Sequence, residues 1–237
     1  DPEEWFSNYR HFTPELPDYY PVASPLTAEE MHVLDTLSNE ERQIIEEAYD
    51  PPAVGVIRNL RTPVQFNLEN VEIPLSGEIS VSGGRLSRIS EDYLAFTTFF
   101  KSDKADEIRI FFEEGHFPHG VEVNLFSEKD YAFNQYDLRG TVDEYGFYTT
   151  TTFSDHLTMQ ILIPINLITE NLHFVISKII HVDNRYLPEE TYRDCFLDAN
   201  CGTANSYAHI DAIREATARL YFPTENRYGL CTRGGAP

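Results

Sequence analysis

A mainly β chain, folded as an antiparallel β-sandwich of jelly-roll type, is what three observations predict. Short runs of alternating apolar and polar residues recur along the chain. Gly and Pro punctuate the joins between them. Phe and Tyr supply 16 and 14 of the 237 residues. Alternation with a period of two buries one face of a strand, and aromatic side chains suit such a half-buried surface. No α–β alternation appears, which excludes a doubly wound sheet.

Residues 1–52 stand apart from this pattern. Trp5, Phe6, Tyr9, Phe12, Tyr19 and Tyr20 lie among prolines without a clean period, so residues 1–23 read as an irregular arm that lays its aromatics on a neighbouring surface. Thr27-Ala-Glu-Glu30 and Ser38-Asn-Glu-Glu41 each fit the S/T-x-x-E capping box. Met31, Leu34 and Leu37 follow the first at helical spacing, and Ile44, Ile45 and Ala48 follow the second, which predicts a short helical hairpin ending at Pro51-Pro52. The acidic residues of these first turns suit the helix dipole and need no metal.

Residues 53–185 carry the sandwich. Val54–Leu60, Val64–Leu68, Val71–Leu75 and Glu78–Val81 are strand candidates, and Gly83-Gly84 marks a turn before Arg85–Ile89 and Tyr93–Phe100. The organising stretch is Asp106–Pro164. It holds the runs Glu107–Phe112, Val121–Phe126 and Leu157–Ile163, with Phe147–Thr152 between them and Leu172–Ile180 beyond. Residues 186–237 break the texture again with a polar linker, a loosely helical stretch and a last short strand at Arg227–Thr232.

Eighteen Lys and Arg against 39 Asp and Glu give a net charge of −21. A field of that sign repels phosphate backbones, so nucleic acid is excluded as a partner, and the acidity is read as a solubility device. No apolar run is long enough for a spanning helix.

Chemical motifs are sparse. Ser154-Asp155-His156 invites comparison with a catalytic triad, but neighbours on a strand point to opposite faces, and a turn before Leu157 is the expected use. His116 and His119 share a Gly- and Pro-flanked loop without the three or four converging ligands that a metal site needs. Asp143 and Glu144 offer carboxylates for Ca²⁺, and Tyr145 and Tyr148 offer a stacking platform for polysaccharide, although no D-x-D-x-D-G loop accompanies them. Together they form the alternative expectation, an extracellular carbohydrate- or Ca²⁺-binding sandwich. Otherwise neither a cofactor nor a metal is expected. Cys195 and Cys201 are separated by five residues, and Cys231 lies thirty further on. Zinc-type spacing is absent, and disulfide bonding of secreted type suits the three cysteines better.

Cys195-Phe-Leu-Asp-Ala-Asn-Cys201, then Ala212-x-x-x-Ala216-x-Ala218-x-Leu220-x-Phe222, then Tyr228-Gly-Leu-Cys-Thr232, resembles the opening of the trypsin-like domain in bacterial secreted serine endopeptidases of the lysyl-endopeptidase type. Ile108–Phe112, Phe117–Gly120, Val123–Ser127 and Phe147–Asp155 are similar to the β-rich region that precedes the protease in such precursors. Tyr148 stands where that family carries Trp, and Phe153-Ser154 replace a Pro-Gly turn. The resemblance covers roughly residues 54–232. It implies a catalytic His, Asp and Ser beyond the matched stretch, and no residues here match them. The expectation is therefore a secreted, non-catalytic pro-region and sandwich (1–52 and 53–185) followed by the start of a trypsin-like domain (186–237). Its implied role is to assist folding, maintain latency or target the protease, and its implied partner is the cognate trypsin-like catalytic domain.

Overall fold

Residues 19–48, 53–127, 133–136, 140–142, 146–149, 151–186, 220–223 and 227–231 are described by the computed structural model. Fourteen strands among them form two sheets of seven. Sheet I has the order β3 (Glu78–Val81), β4 (Gly84–Arg88), β5 (Tyr93–Ser102), β11 (His156–Pro164), β7 (Glu122–Phe126), β8 (Phe133–Tyr136). Sheet II has the order β10 (Phe147–Tyr148), β6 (Glu107–Phe117), β12 (His173–Val182), β2 (Ala53–Asn67), β14 (Arg227–Cys231), β13 (Leu220–Pro223). β9 (Gly140–Thr141) adds to β6, and β1 (Met31–Leu34) adds to β5. The chain is a mainly β sandwich, as its alternation predicts. All pairings are antiparallel except β1 with β5, which is parallel.

Alternation decides which side chains meet between the sheets. Leu94, Phe96 and Phe100 of β5 face inward with Met159, Ile161 and Ile163 of β11, and they join Ile110, Phe112, Phe174 and Ile176 of sheet II in one buried cluster. Phe66 lies 4.8 Å from Phe96 and 5.3 Å from Phe174, ring centre to ring centre, so aromatic contacts cross the layer. Such pairs add roughly 1 kcal/mol each beyond their buried area.

Several expected elements take a different form. Val54–Leu60 and Val64–Leu68 merge into the single strand β2, whose register against β12 shifts between Ile176 and Lys178. Pro63, which cannot donate a ladder hydrogen bond, falls in that irregularity. Val71–Leu75 forms no strand; Val71 and Ile73 pack against the core from a loop.

The helical hairpin is corrected to one helix, α1 (Asn39–Glu46). Its capping box is complete, with Ser38 Oγ accepting from the Glu41 N–H and Glu41 accepting from the Ser38 N–H. At the first box, Glu30 reaches back to the Thr27 N–H at 2.7 Å, yet the chain leaves the turn as β1. Glu30 is held by Arg85 across the sheet at 2.5 Å, and β1 pairs beside Phe99–Ser102. Tertiary bonding overrides the helical signal here.

Candidate functional site

Residues 19–30 lie against the outer face of sheet I. Tyr19 packs its ring against Phe126 at 5.0 Å, and the Tyr20 backbone exchanges two hydrogen bonds with the Gln160 side chain, at 3.1 and 2.9 Å. Of the expected aromatic arm, residues 1–18 lie outside the described residues. The Arg85 guanidinium, buried beneath it, donates to Ser24 O, Pro25 O and Glu30. Burial alone would push the Glu30 carboxyl up, but hydrogen bonds from Arg85, Ser80 and Thr27 outweigh it and hold the pKa at about 2.

A second polar network closes one end of the sandwich. Arg58 of β2 sits at a core-facing position between Val56 and Leu60, nearly all of it buried. It donates from Nε and Nη2 to Glu41 of α1, and from Nη1 to Asp35 O and to Ser102 Oγ of β5 at 2.9 Å. Ser102 Oγ lies 2.8 Å from His181 Nδ1 of β12. One chain of hydrogen bonds therefore ties the helix, sheet II and sheet I together.

Ser102 and His181 stand at nucleophile–base distance, but their chemistry is not that of a catalytic pair. The Ser102 side chain is fully buried, so an acyl group has no approach to it. Burial and then Arg58 push the His181 imidazole down to about 4, against the pull of Asp183, Glu41 and Asp106, which makes it a weak base at neutral pH. The network crosslinks layers.

Beside it lies a cavity of about 290 Å³, lined by Thr36, Leu37, Arg42, Lys104, His181, Arg185 and Tyr186. The His181 side chain alternates with Ile180 and Val182 and shares the inner face with Ile179, which puts it between the sheets at the cavity floor. Its Nε2 is buried without a hydrogen-bond partner among the described residues. Arg185 is held by Asp183, which accepts from its Nε at 2.9 Å.

The residues that the sequence singles out are arranged otherwise. Asp155 Oδ1 and Ser154 Oγ both approach the same nitrogen of His156, Nδ1, at 2.8 and 3.5 Å. A relay needs the acid and the nucleophile on opposite ring nitrogens, so these three residues form a bend and no triad. His116 contacts Thr141 through Nδ1 and stacks 6.2 Å from His173. Among the described residues no three His, Cys, Asp or Glu side chains gather as a metal site. Tyr148 packs its ring 4.4 Å from that of Phe111, and Arg109 lies over it at 5.9 Å. Burial raises its hydroxyl pKa.

Asp143, Glu144, Tyr145, Cys195 and Cys201 lie outside the described residues. The backbone of Cys231 is placed in β14, opposite Leu220. Through Arg227 to Gly229, β14 pairs with the opening of β2, so a strand assigned by sequence to a separate segment lies in the sandwich's own sheet. No protein-family model and no curated protein matches the chain. Among the described residues no helix is long and apolar enough to cross a membrane.

The His181 cavity escapes sequence reasoning because its residues come from three separate stretches, 36–42, Lys104 and 181–186. The one legible signal is Arg58, a cation at a position where alternation demands a core residue.

Proposed function

We propose that this chain is a non-catalytic β-sandwich region of a secreted serine endopeptidase precursor, acting on the folding or latency of a trypsin-like catalytic domain. The observation that carries this reading is the pairing of β14 with β2. The strand bearing Tyr228–Cys231, which resembles an early strand of the trypsin-like domain, is hydrogen-bonded to the first residues of the sandwich. A sheet edge that organises such a strand supplies a template for the barrel strands that follow it, since backbone ladder bonds fix register. The sealed Ser102–His181 pair and the shared nitrogen of the Ser154–Asp155–His156 bend support a non-catalytic role for the described part.

The test is a refolding assay. A catalytic domain of the lysyl-endopeptidase type is denatured and diluted with or without this chain, with an unrelated acidic sandwich as control. A higher yield of active enzyme, or inhibition of the folded enzyme on a small peptide substrate, is expected with this chain alone. Equal yield and equal activity in all three mixtures would sink the proposal.

A further inference from the structure

We infer that the cavity between α1 and the open end of the sheets binds a compact oxyanion, of phosphate or carboxylate type, through Arg42, Lys104 and Arg185, above the buried His181. The inference is independent of the protease reading. It stands first on proton placement. Arg58 has only protons to give, so Ser102 Oγ accepts from it. Among the described residues the remaining contact of that hydroxyl is His181 Nδ1, and the serine proton finds an acceptor there only in the tautomer with a bare Nδ1. A neutral imidazole that accepts at Nδ1 carries its hydrogen at Nε2. Among the described residues, His181 thus holds a buried donor without an acceptor.

Charge points the same way. In a chain of net charge −21, three cations and no carboxylate line this one cavity. Of the nearby acids, Glu41 is engaged with Arg58, Asp35 with Arg61 and Asp106 with the Asn184 N–H, while Asp183 pairs with the cavity's own Arg185 and Glu46 accepts from the Tyr186 hydroxyl. Arg42 and Lys104 form no ion pair with any described residue. Asp183 fixes Arg185 through Nε and Nη2 and leaves the Nη1 donors for a ligand.

Lys104 adds a conformational argument. It is the one non-glycine among the described residues with positive φ, at +64°. A side chain in that region is strained, and glycine would occupy it without strain. The lysine keeps an ammonium on the cavity wall. In size, 290 Å³ matches roughly ten liquid waters, enough for an oxyanion with a small attached group.

Calorimetric titration of the full chain with inorganic phosphate, sulfate and acetate, at pH 7 and constant ionic strength, tests the inference. Saturable binding of at least one anion is expected, and the preferred anion separates a phosphate from a carboxylate ligand. Arg42→Gln and Lys104→Gly should each weaken it about tenfold, the loss expected for one charge-assisted contact. Lys104→Gly should melt no lower than the parent, which separates binding from folding. Failure of all three anions to saturate, or unchanged affinity in both variants, would overturn the site.

Discussion

At the scale of single residues, His181 sets a pH response. Its pKa falls from 6.5 to about 4 on folding, because burial and then Arg58 disfavour the imidazolium. Between those values the unfolded chain binds the proton that the folded chain refuses, so stability falls as pH drops through 6.5 and the loss levels off below about 4. The shift corresponds to about 3 kcal/mol. Asp183, Glu41 and Asp106 pull the other way and are already included in that balance. His32, also lowered by burial, contributes in the same direction. Substituting His181→Asn keeps an acceptor for the Ser102 hydroxyl and removes the titration. Chemical denaturation from pH 7 to pH 4 should then show a much shallower loss than in the parent chain, with the His32 part remaining. An unchanged slope would mean that His181 is protonated in the fold.

At the scale of elements, the first strand shows where local sequence loses to tertiary bonding. Ser38–Glu41 and Thr27–Glu30 carry the same capping signal, and only one is followed by a helix. Glu41 is also bound by Arg58, but from the side of α1, which leaves the helix axis free to run. Glu30 is bound by Arg85 at the junction of β4, β5 and the arm, and Met31–Leu34 pairs with β5 where β4 ends. Periodicity over so few residues fits a strand as well as a helix turn. The strands read at Glu107–Phe112, Val121–Phe126 and Leu157–Ile163 were legible from their apolar alternation, whereas the short β8 and β9 between them were not. The Arg85–Glu30 pair was not, because its partners lie 55 positions apart. Breaking a buried ion pair from one side strands a charge. Glu30→Leu should therefore destabilise the chain by about 3 kcal/mol or more in urea unfolding. The double variant Glu30→Leu with Arg85→Leu should recover most of that loss, since no charge is left unpaired. Additive losses would show that Arg85 gains its support from Ser24, Pro25 and Glu78 instead.

At the scale of the whole molecule, the main core of described side chains runs from Leu34 to Ile179, and β13 pairs with β14 at the edge of sheet II. The hairpin they form is attached through backbone pairing with Ala53–Val56. Removal of residues 187–237 should open the ladder groups of that stretch. An open edge next to apolar Ala53, Val54 and Val56 recruits another strand, and a second copy of the truncated chain offers the same edge. The strong negative charge of the chain opposes such an encounter at low salt, because like fields repel until they are screened. Sedimentation of the truncated chain should then reveal concentration-dependent dimers that strengthen as salt is raised, while the full chain stays unchanged. A monomer at all salt concentrations would show that β2 protects its own edge. The first strand of a following domain would then have no vacant template to fill, and the folding role proposed for the sandwich would lose its structural basis.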